Sequence, residues 1–272
     1  NDWRSLKKLL VKINNQIKKI GRKASILIID DGSTQKENFS IKSFKNIKKI
    51  KILSLNKNLG SQKAIAIGLK YLNTKKQKPI ITILDSDGED DPSQIAKMIE
   101  KANLYSQYVI VSCRTKRGEG IVFSWFYTLH KILTFIFTLK WINFGNYSSF
   151  NSKNLKKILK NNSSWLAYSS TISKNCQLKR VYAARKKRFF GQSKLSLPGL
   201  ILHSYRVNSV FILRSFFLSI SYIFFLLLFN LNLKFKIILL LLLVLHNFFL
   251  LFTLISNQQI KFENFKNFKK NK

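Results

Sequence analysis

Apolar positions in the first two hundred residues switch repeatedly between two periods. Trp3, Leu6, Leu9, Leu10, Ile13, Ile17 and Ile20 recur at helical spacing, predicting a helix over Trp3 to Ile20. The run Ser25 to Ile29 then reads as a strand ending at Asp30-Asp31-Gly32-Ser33, and Ile50 to Leu55 as another. A helix over Gly60 to Leu72, a strand over Pro79 to Leu84, a helix from Pro92 to Leu104 and a strand over Tyr108 to Ser112 follow. Strands alternating with helices predict an α/β fold with a mainly parallel sheet covered on both faces. Such sheets bind ligands beyond the carboxyl ends of their strands, so the chemistry is expected just after each apolar run. No internal repeat is evident.

Further along, the pattern loses its polar face. Ile237 to Ser256 is twenty residues without a formal charge, close to the ~20 that cross a hydrocarbon core. Ser209 to Phe229 carries only Arg214, near its start, where a long side chain can snorkel to the headgroups. Both runs are apolar on every face, which predicts a transmembrane hairpin joined by residues 230–236. His246 and Asn247 fall mid-span, where an interhelical hydrogen bond is expected. Residues 121–142 are as long but are interrupted by His130, Lys131 and Lys140, and are read as a helix lying in the membrane interface. Thirteen Lys or Arg in 143–206 and five Lys after Ser256, against two in the connecting loop, place both termini in the cytoplasm.

Composition narrows the class. The 272 residues are 46% apolar, which excludes intrinsic disorder, and Cys113 and Cys176 alone exclude a disulfide scaffold. A net charge of +36 points to anionic partners, yet 39 of the 48 basic residues are Lys spread along the whole chain. No helix-turn-helix or zinc-finger pattern appears and aromatics do not interleave with Arg, so nucleic acid is not the expected partner. The lone methionine is Met98 and the chain begins at Asn1, so a preceding N-terminal segment is expected.

Acids are scarce, and their placement carries information. Of twelve, Asp30 and Asp31 follow one strand, and Asp85, Asp87, Glu89, Asp90 and Asp91 follow another. Each group alone would suit a solvated turn. Converging at the carboxyl ends of one sheet, they would repel one another unless a divalent cation relieved them; carboxylate oxygens with retained water suit Mg²⁺ or Mn²⁺.

These residues carry a resemblance. Asp30-Asp31-Gly32-Ser33-Thr34, Asn58-Leu59-Gly60 with Ala64 and Gly68, and Asp85-Ser86-Asp87 followed by Asp90 and Pro92 resemble the family 2 inverting glycosyltransferases. More narrowly, the chain is similar to the polyprenyl-phosphate group, which includes dolichol-phosphate mannose synthase and bacterial undecaprenyl-phosphate enzymes. The resemblance implies a GT-A, Rossmann-like core that takes a nucleotide diphosphate sugar as donor and polyprenyl phosphate as acceptor at the cytoplasmic membrane. It implies that Asp2, Asp30, Asp31, Ser33, Asn58, Gly60, Lys63 and Asp85 hold the nucleotide sugar and that Asp87 holds the metal. Asp85, Asp87 and Arg114 would be the catalytic set. Arg114, Arg117 and the Arg188-x-x-Gly191-x-Ser193-Lys194 segment would hold the lipid phosphate, chemistry that suits Arg, Lys and a hydroxyl beside an anionic headgroup. The expected divisions are a nucleotide-sugar core over 1–120, an interfacial helix over 121–142, an acceptor-side and juxtamembrane part over 143–206, the hairpin over 207–256 and a basic tail over 257–272. Homo-oligomerisation stays open.

The sequence departs from the family pattern in three places. The family's first strand is absent, with Asn1-Asp2 matching only its last two residues; Asn146 stands where relatives carry an Asp; and Asp91 stands where many have Pro. A phosphate acceptor, with a second pKa near ~6, is mostly a dianion at neutral pH and needs little help from a general base, so the Asn146 change bears on positioning. The alternatives are a family 2 enzyme acting on a glycolipid or polysaccharide, and a degenerate membrane-anchored homologue. Against a polymer synthase, Gln177-Leu178-Lys179-Arg180-Val181 lacks the Trp of the Gln-x-x-Arg-Trp segment.

Overall fold

The computed structural model describes residues 1–35, 44–75, 79–114, 121–184, 186–191 and 196–257. The alternating periods become α1 (Trp3–Lys19), β1 (Ala24–Asp30), β2 (Ile47–Ser54), α2 (Ser61–Asn73), β3 (Ile80–Ile83), α3 (Ile95–Leu104) and β4 (Tyr108–Arg114). A 3₁₀ turn at Pro92–Gln94 leads into α3, with Pro92 in its first position and the Asp91 side chain accepting from Ser93 N. After β4 come α4 (Ile121–Thr138), β5 (Phe144–Asn151), α5 (Leu155–Ile158), α6 (Tyr168–Asn175) and β6 (Gln177–Ala183), and then α7 (Leu197–Ser209), α8 (Ile212–Leu228) and α9 (Leu233–Ser256).

The expected single, mainly parallel sheet is corrected. Among the described residues β1 and β2 form one parallel pair, and a second sheet runs β3-β5-β4-β6. β5 is antiparallel to both β3 and β4, while β4 and β6 are parallel. The sequence reading passed over β5 because FGNYSSFN alternates weakly and carries small polar residues. Its strand state comes from the ladders on both sides, with Ser148, Ser149 and Phe150 wholly buried.

Both faces of the four-stranded sheet are covered, as expected. Val109, Val111 and Cys113 of β4 face a cluster with Phe150, Tyr168, Ile172 and Phe211, whereas Ile110 faces Leu9, Ile13 and Ile17 of α1 and Met98 of α3. The period-2 alternation along one strand thus joins two cores.

The apolar C-terminal third differs from its expected boundaries. α9 is long and apolar enough to cross a membrane, and starts at Leu233, so Lys234 and Lys236 lie in its opening turns, not in a loop. The other expected span breaks at Val210-Phe211, and α7 and α8 meet there at 93°. Arg214 is exposed, and its Nη1 donates to the Thr138 carbonyl at 3.0 Å, at the C-terminal end of α4 where carbonyls lack helical partners. Ser215 donates to the Phe137 carbonyl at 2.8 Å beside it, so the start of α8 is pinned to the end of α4. The expected interhelical hydrogen bond is also replaced. Asn247 donates to Leu243 within its own helix, while the His246 ring stacks on Phe137 of α4 at 3.7 Å. α4 itself leaves Trp125, Leu129, Leu133 and Ile136 exposed, Trp125 at 74%, and packs its other side on α7 and α8.

Candidate active site

Three turns beyond strand ends build the site. After β1, the Asp30 carboxylate accepts from Ser33 N at 3.1 Å, closing the Asp30-Asp31-Gly32-Ser33 turn on itself. Asp31 reaches across instead. Its two oxygens accept from Leu59 N and Gly60 N, both at 2.8 Å, and so fasten the Asn58-Leu59-Gly60 turn that opens α2. Asn58 Oδ1 accepts from the same Gly60 N–H at 3.1 Å. Gly32 holds a left-handed φ of +69°, and a Cβ there would meet the Lys57-Asn58 backbone at 2.6 Å, so the two turns touch only because this residue has no side chain.

After β3, the register with β5 pairs Ile83 with Ser148. Continued by two residues, it sets Asn146 opposite Asp85. The Asn146 Nδ2 accordingly donates to both Asp85 oxygens, at 3.2 and 3.3 Å. Asp87 accepts from Glu89 N at 3.0 Å, and the buried Asp90 carboxylate meets the Asp85 N–H at 3.5 Å. Tyr147 donates to the Asp91 carbonyl; burial, with Asp90 and Asp91 close by, pushes its phenol far above the ordinary value and keeps it neutral.

The segment after β6 lies across this acidic turn. Lys186 N donates to the Glu89 carbonyl and Phe189 N to the Asp87 carbonyl, both at 2.9 Å. Between them, Arg188 Nη1 sits 3.3 Å from Asp87 Oδ2 and Nη2 sits 3.8 Å from Asp2 Oδ2. Lys186 pairs with Asp91 at 3.5 Å. The Arg188 Nε is buried without a hydrogen-bond partner among the described residues.

The structure therefore brings Asp2, Asp85, Asp87 and Arg188 into one region, with Arg188 against the acids on the expected nucleotide side. Asp30, Asp31, Ser33, Asn58 and Gly60 form a second region around the opening of α2. Lys63, in the first turns of α2, has its pKa lowered by burial and then by Arg206 of α7 and Lys57, which Asp31 partly offsets. Arg114 ends β4, where its backbone pairs with Ala183. Arg117, Ser193 and Lys194 lie outside the described residues. Sequence reasoning passed over Gln62, whose Nε2 donates to Asn146 Oδ1 at 3.2 Å; a Gln inside an amphipathic helix carries no signal by itself.

Among the described residues no group of three His, Cys, Asp or Glu side chains converges as a closed metal cage. The donors present suit a different arrangement. One or two hard carboxylates match the way Mg²⁺ is commonly held, with water and other oxygens completing its shell.

Acidic turns at strand ends and a Gly-bearing turn opening a helix lie where α/β folds bind ligands, beyond the carboxyl ends of their strands. A family model described as Glycosyl transferase family 2 matches residues 1–167, and the chain belongs to that family. It is a glycosyltransferase of the inverting type. The match covers every acidic turn of the site and ends before the strap that carries Arg188.

Proposed function

We propose that this glycosyltransferase moves a sugar from a nucleotide diphosphate to a polyprenyl phosphate at a membrane surface. The observation that carries the proposal is the junction between the donor site and the apolar helices. Arg206 of α7 lies close enough to Lys63, at the opening of α2, to disfavour its charge. α7 in turn packs on α4, α8 and α9, whose outer faces expose Trp125, Phe216, Phe224, Leu241 and Phe248. A water-soluble acceptor gives no reason for so much exposed apolar surface, whereas a lipid phosphate has to be met at such a surface.

In this reading Asp30, Asp31, Ser33, Asn58, Gly60 and Lys63 line the nucleotide side, with Asp2 and Asp85 beside them. Asp87 would hold Mg²⁺ or Mn²⁺, which when bound offsets the charge that develops on the departing diphosphate. Arg188, with Arg114, Arg117, Ser193 and Lys194, reduces the repulsion between two anionic substrates. The acceptor oxygen attacks the anomeric carbon opposite the leaving group, and configuration inverts. As a dianion it needs no proton removed, which fits an amide at position 146. The core over 1–120, the acceptor-side part over 143–206 and the α8–α9 hairpin, with both ends on the cytoplasmic side, belong to the same proposal.

The test is transfer of radiolabel from a panel of UDP- and GDP-linked sugars to undecaprenyl phosphate, with Mn²⁺ or EDTA present. Label entering the organic phase with one donor and metal, and lost in Asp87→Asn, supports the reading. Transfer only to a glycolipid or polysaccharide overturns the acceptor assignment, and no transfer by folded, inserted protein supports the degenerate homologue.

A further inference from the structure

A chain of hydrogen bonds runs from the first turn of α6 to Asp85, and its direction is fixed at both ends. Tyr168 N, at the first position of α6, donates to Gln62 Oε1 at 2.7 Å. This N–H has no intrahelical partner, and a backbone amide can only donate. Gln62 must therefore present its oxygen to Tyr168, which turns its Nε2 toward Asn146, where Oδ1 accepts at 3.2 Å. Asn146 is thereby oriented too, and its Nδ2 faces the two Asp85 oxygens at 3.2 and 3.3 Å. A carboxylate can only accept. One obligate donor and one obligate acceptor thus leave a single arrangement for two amides that would each otherwise be free to flip.

We propose that Gln62 and Asn146 are positioning residues forming a directed relay, which fixes the Asp85 carboxylate for the donor substrate by anchoring it to the start of α6. The placement of Asp85 at the donor rests on the reading above; the relay does not. Four elements contribute one group each: α6 the N–H, α2 the Gln62 amide, β5 the Asn146 amide, and the turn after β3 the carboxylate. Linked donors of this kind polarise one another, so the bond reaching Asp85 is strengthened by those behind it. The relay also accounts for the departure at position 146. An Asp there would face both the Asp85 carboxylate and the Gln62 amide, and only the latter contact would be favourable. The amide satisfies both.

The decisive variant is Gln62→Glu, which is isosteric and keeps the acceptor for Tyr168 N. It removes the donor to Asn146, whose one NH2 can then serve the new carboxylate or Asp85 while its oxygen is set against the other. Thermal midpoints need no substrate, and the expected result is a fall of several degrees. Asp85→Asn in the same background restores most of that loss, because the new amide donates to the flipped Asn146 and the relay runs backwards. Asp87→Asn removes an equal charge two residues away and restores nothing, which separates relay polarity from general charge relief. If Gln62→Glu alone does not fold, recovery of folded protein in the Asp85→Asn double variant is the same result. Independent losses in the double variant, or equal rescue by Asp87→Asn, overturn the relay.

Positioning is read separately. With the donor identified in the transfer assay, Gln62→Glu raises its KM and lowers kcat/KM about tenfold to a hundredfold, as loss of a hydrogen bond to a charged group does. In an Asn146→Ala background the same substitution is nearly silent. Unchanged donor KM and kcat in a variant with a lowered midpoint leave a purely structural relay and overturn the positioning role. A wild-type chain inactive with every donor overturns the functional reading, while the midpoints still decide the relay.

Discussion

The Arg188 guanidinium lies 3.3 Å from the Asp87 carboxylate, with only 15% and 16% of the two side chains exposed. The family resemblance alone implies separate functions, Arg188 at the lipid phosphate and Asp87 at a metal. Their contact joins the segment after β6 to the acidic turn, through a pair dry enough for its charges to be felt.

A first prediction follows from that pair. Asp87→Asn leaves Arg188 with Asp2, 3.8 Å away, so stability falls by only about 1–3 kcal/mol. Activity falls by at least about a hundredfold if the group acts on developing charge. Arg188→Lys keeps the charge and loses the planar fork, with an expected loss of about tenfold. Denaturation midpoints alongside transfer rates separate the two effects. A variant that loses stability and activity in proportion makes the pair structural.

The glycines of the site differ in what surrounds them, and their alanine variants should differ accordingly. At Gly32 a Cβ meets backbone at 2.6 Å, and at Gly88 it meets the Phe189 ring at 2.4 Å. Gly60, with φ +87°, has nothing within 4 Å. With ψ at 155°, Gly60 sits in an extended positive-φ region that side chains avoid, so Gly60→Ala costs only that backbone strain, about 1–3 kcal/mol. Gly88→Ala adds displacement of Phe189, which also breaks its contacts with Lys8 and Lys12. Gly32→Ala has no flexible neighbour to yield and is the most damaging, by about 3 kcal/mol or more. Urea titration of the three gives the order; Gly32→Ala no worse than Gly60→Ala contradicts the turn contact.

The first half of the fold was legible because each element announced itself. Seven apolar residues at helical spacing gave α1, and runs ending in acids gave β1 and β3 with their chemistry attached. β5 was not legible, because its polar residues are buried by pairing with two strands distant in sequence, a long-range effect that no local pattern reports. The Arg214 contact was not legible for a similar reason: the free carbonyl of Thr138 is visible only once α4 and α8 meet. Of the site, the acids were legible from composition. Gln62 was not, since its role comes from facing the α6 N-terminus and Asn146 at once.

Thiol chemistry gives a prediction in pH. Burial pushes the Cys176 thiol up to about 11, and also raises that of Cys113. A raised thiol pKa means less thiolate at a given pH. At pH 8 Cys176 is about one part in a thousand ionised, against roughly a quarter for an ordinary thiol. Alkylation of the folded chain by iodoacetamide should be over a hundredfold slower than in urea, rising about tenfold per pH unit through pH 10. Mass-spectrometric labelling at several pH values checks this, and a plateau near pH 8.5 in the folded chain contradicts it.

The last prediction concerns α9. Its 24 residues extend about 36 Å at 1.5 Å each, more than the ~30 Å of a hydrocarbon core. Leu242 and Leu245 are half-exposed on its outer face, whereas Leu250 is buried and its carbonyl accepts from Ser209 of α7. If lipid surrounds the outer face, lysines at 242 and 245 each cost roughly 2.5–3.5 kcal/mol of insertion. The double variant Leu242→Lys, Leu245→Lys should then leave the carbonate-resistant membrane fraction and be degraded or aggregate. If water surrounds that face, the same substitutions remove an exposed apolar patch and raise soluble yield. Leu250→Lys damages packing in either case and serves as the control. Carbonate extraction of the three chains decides between lipid and water, because the first two outcomes have opposite sign.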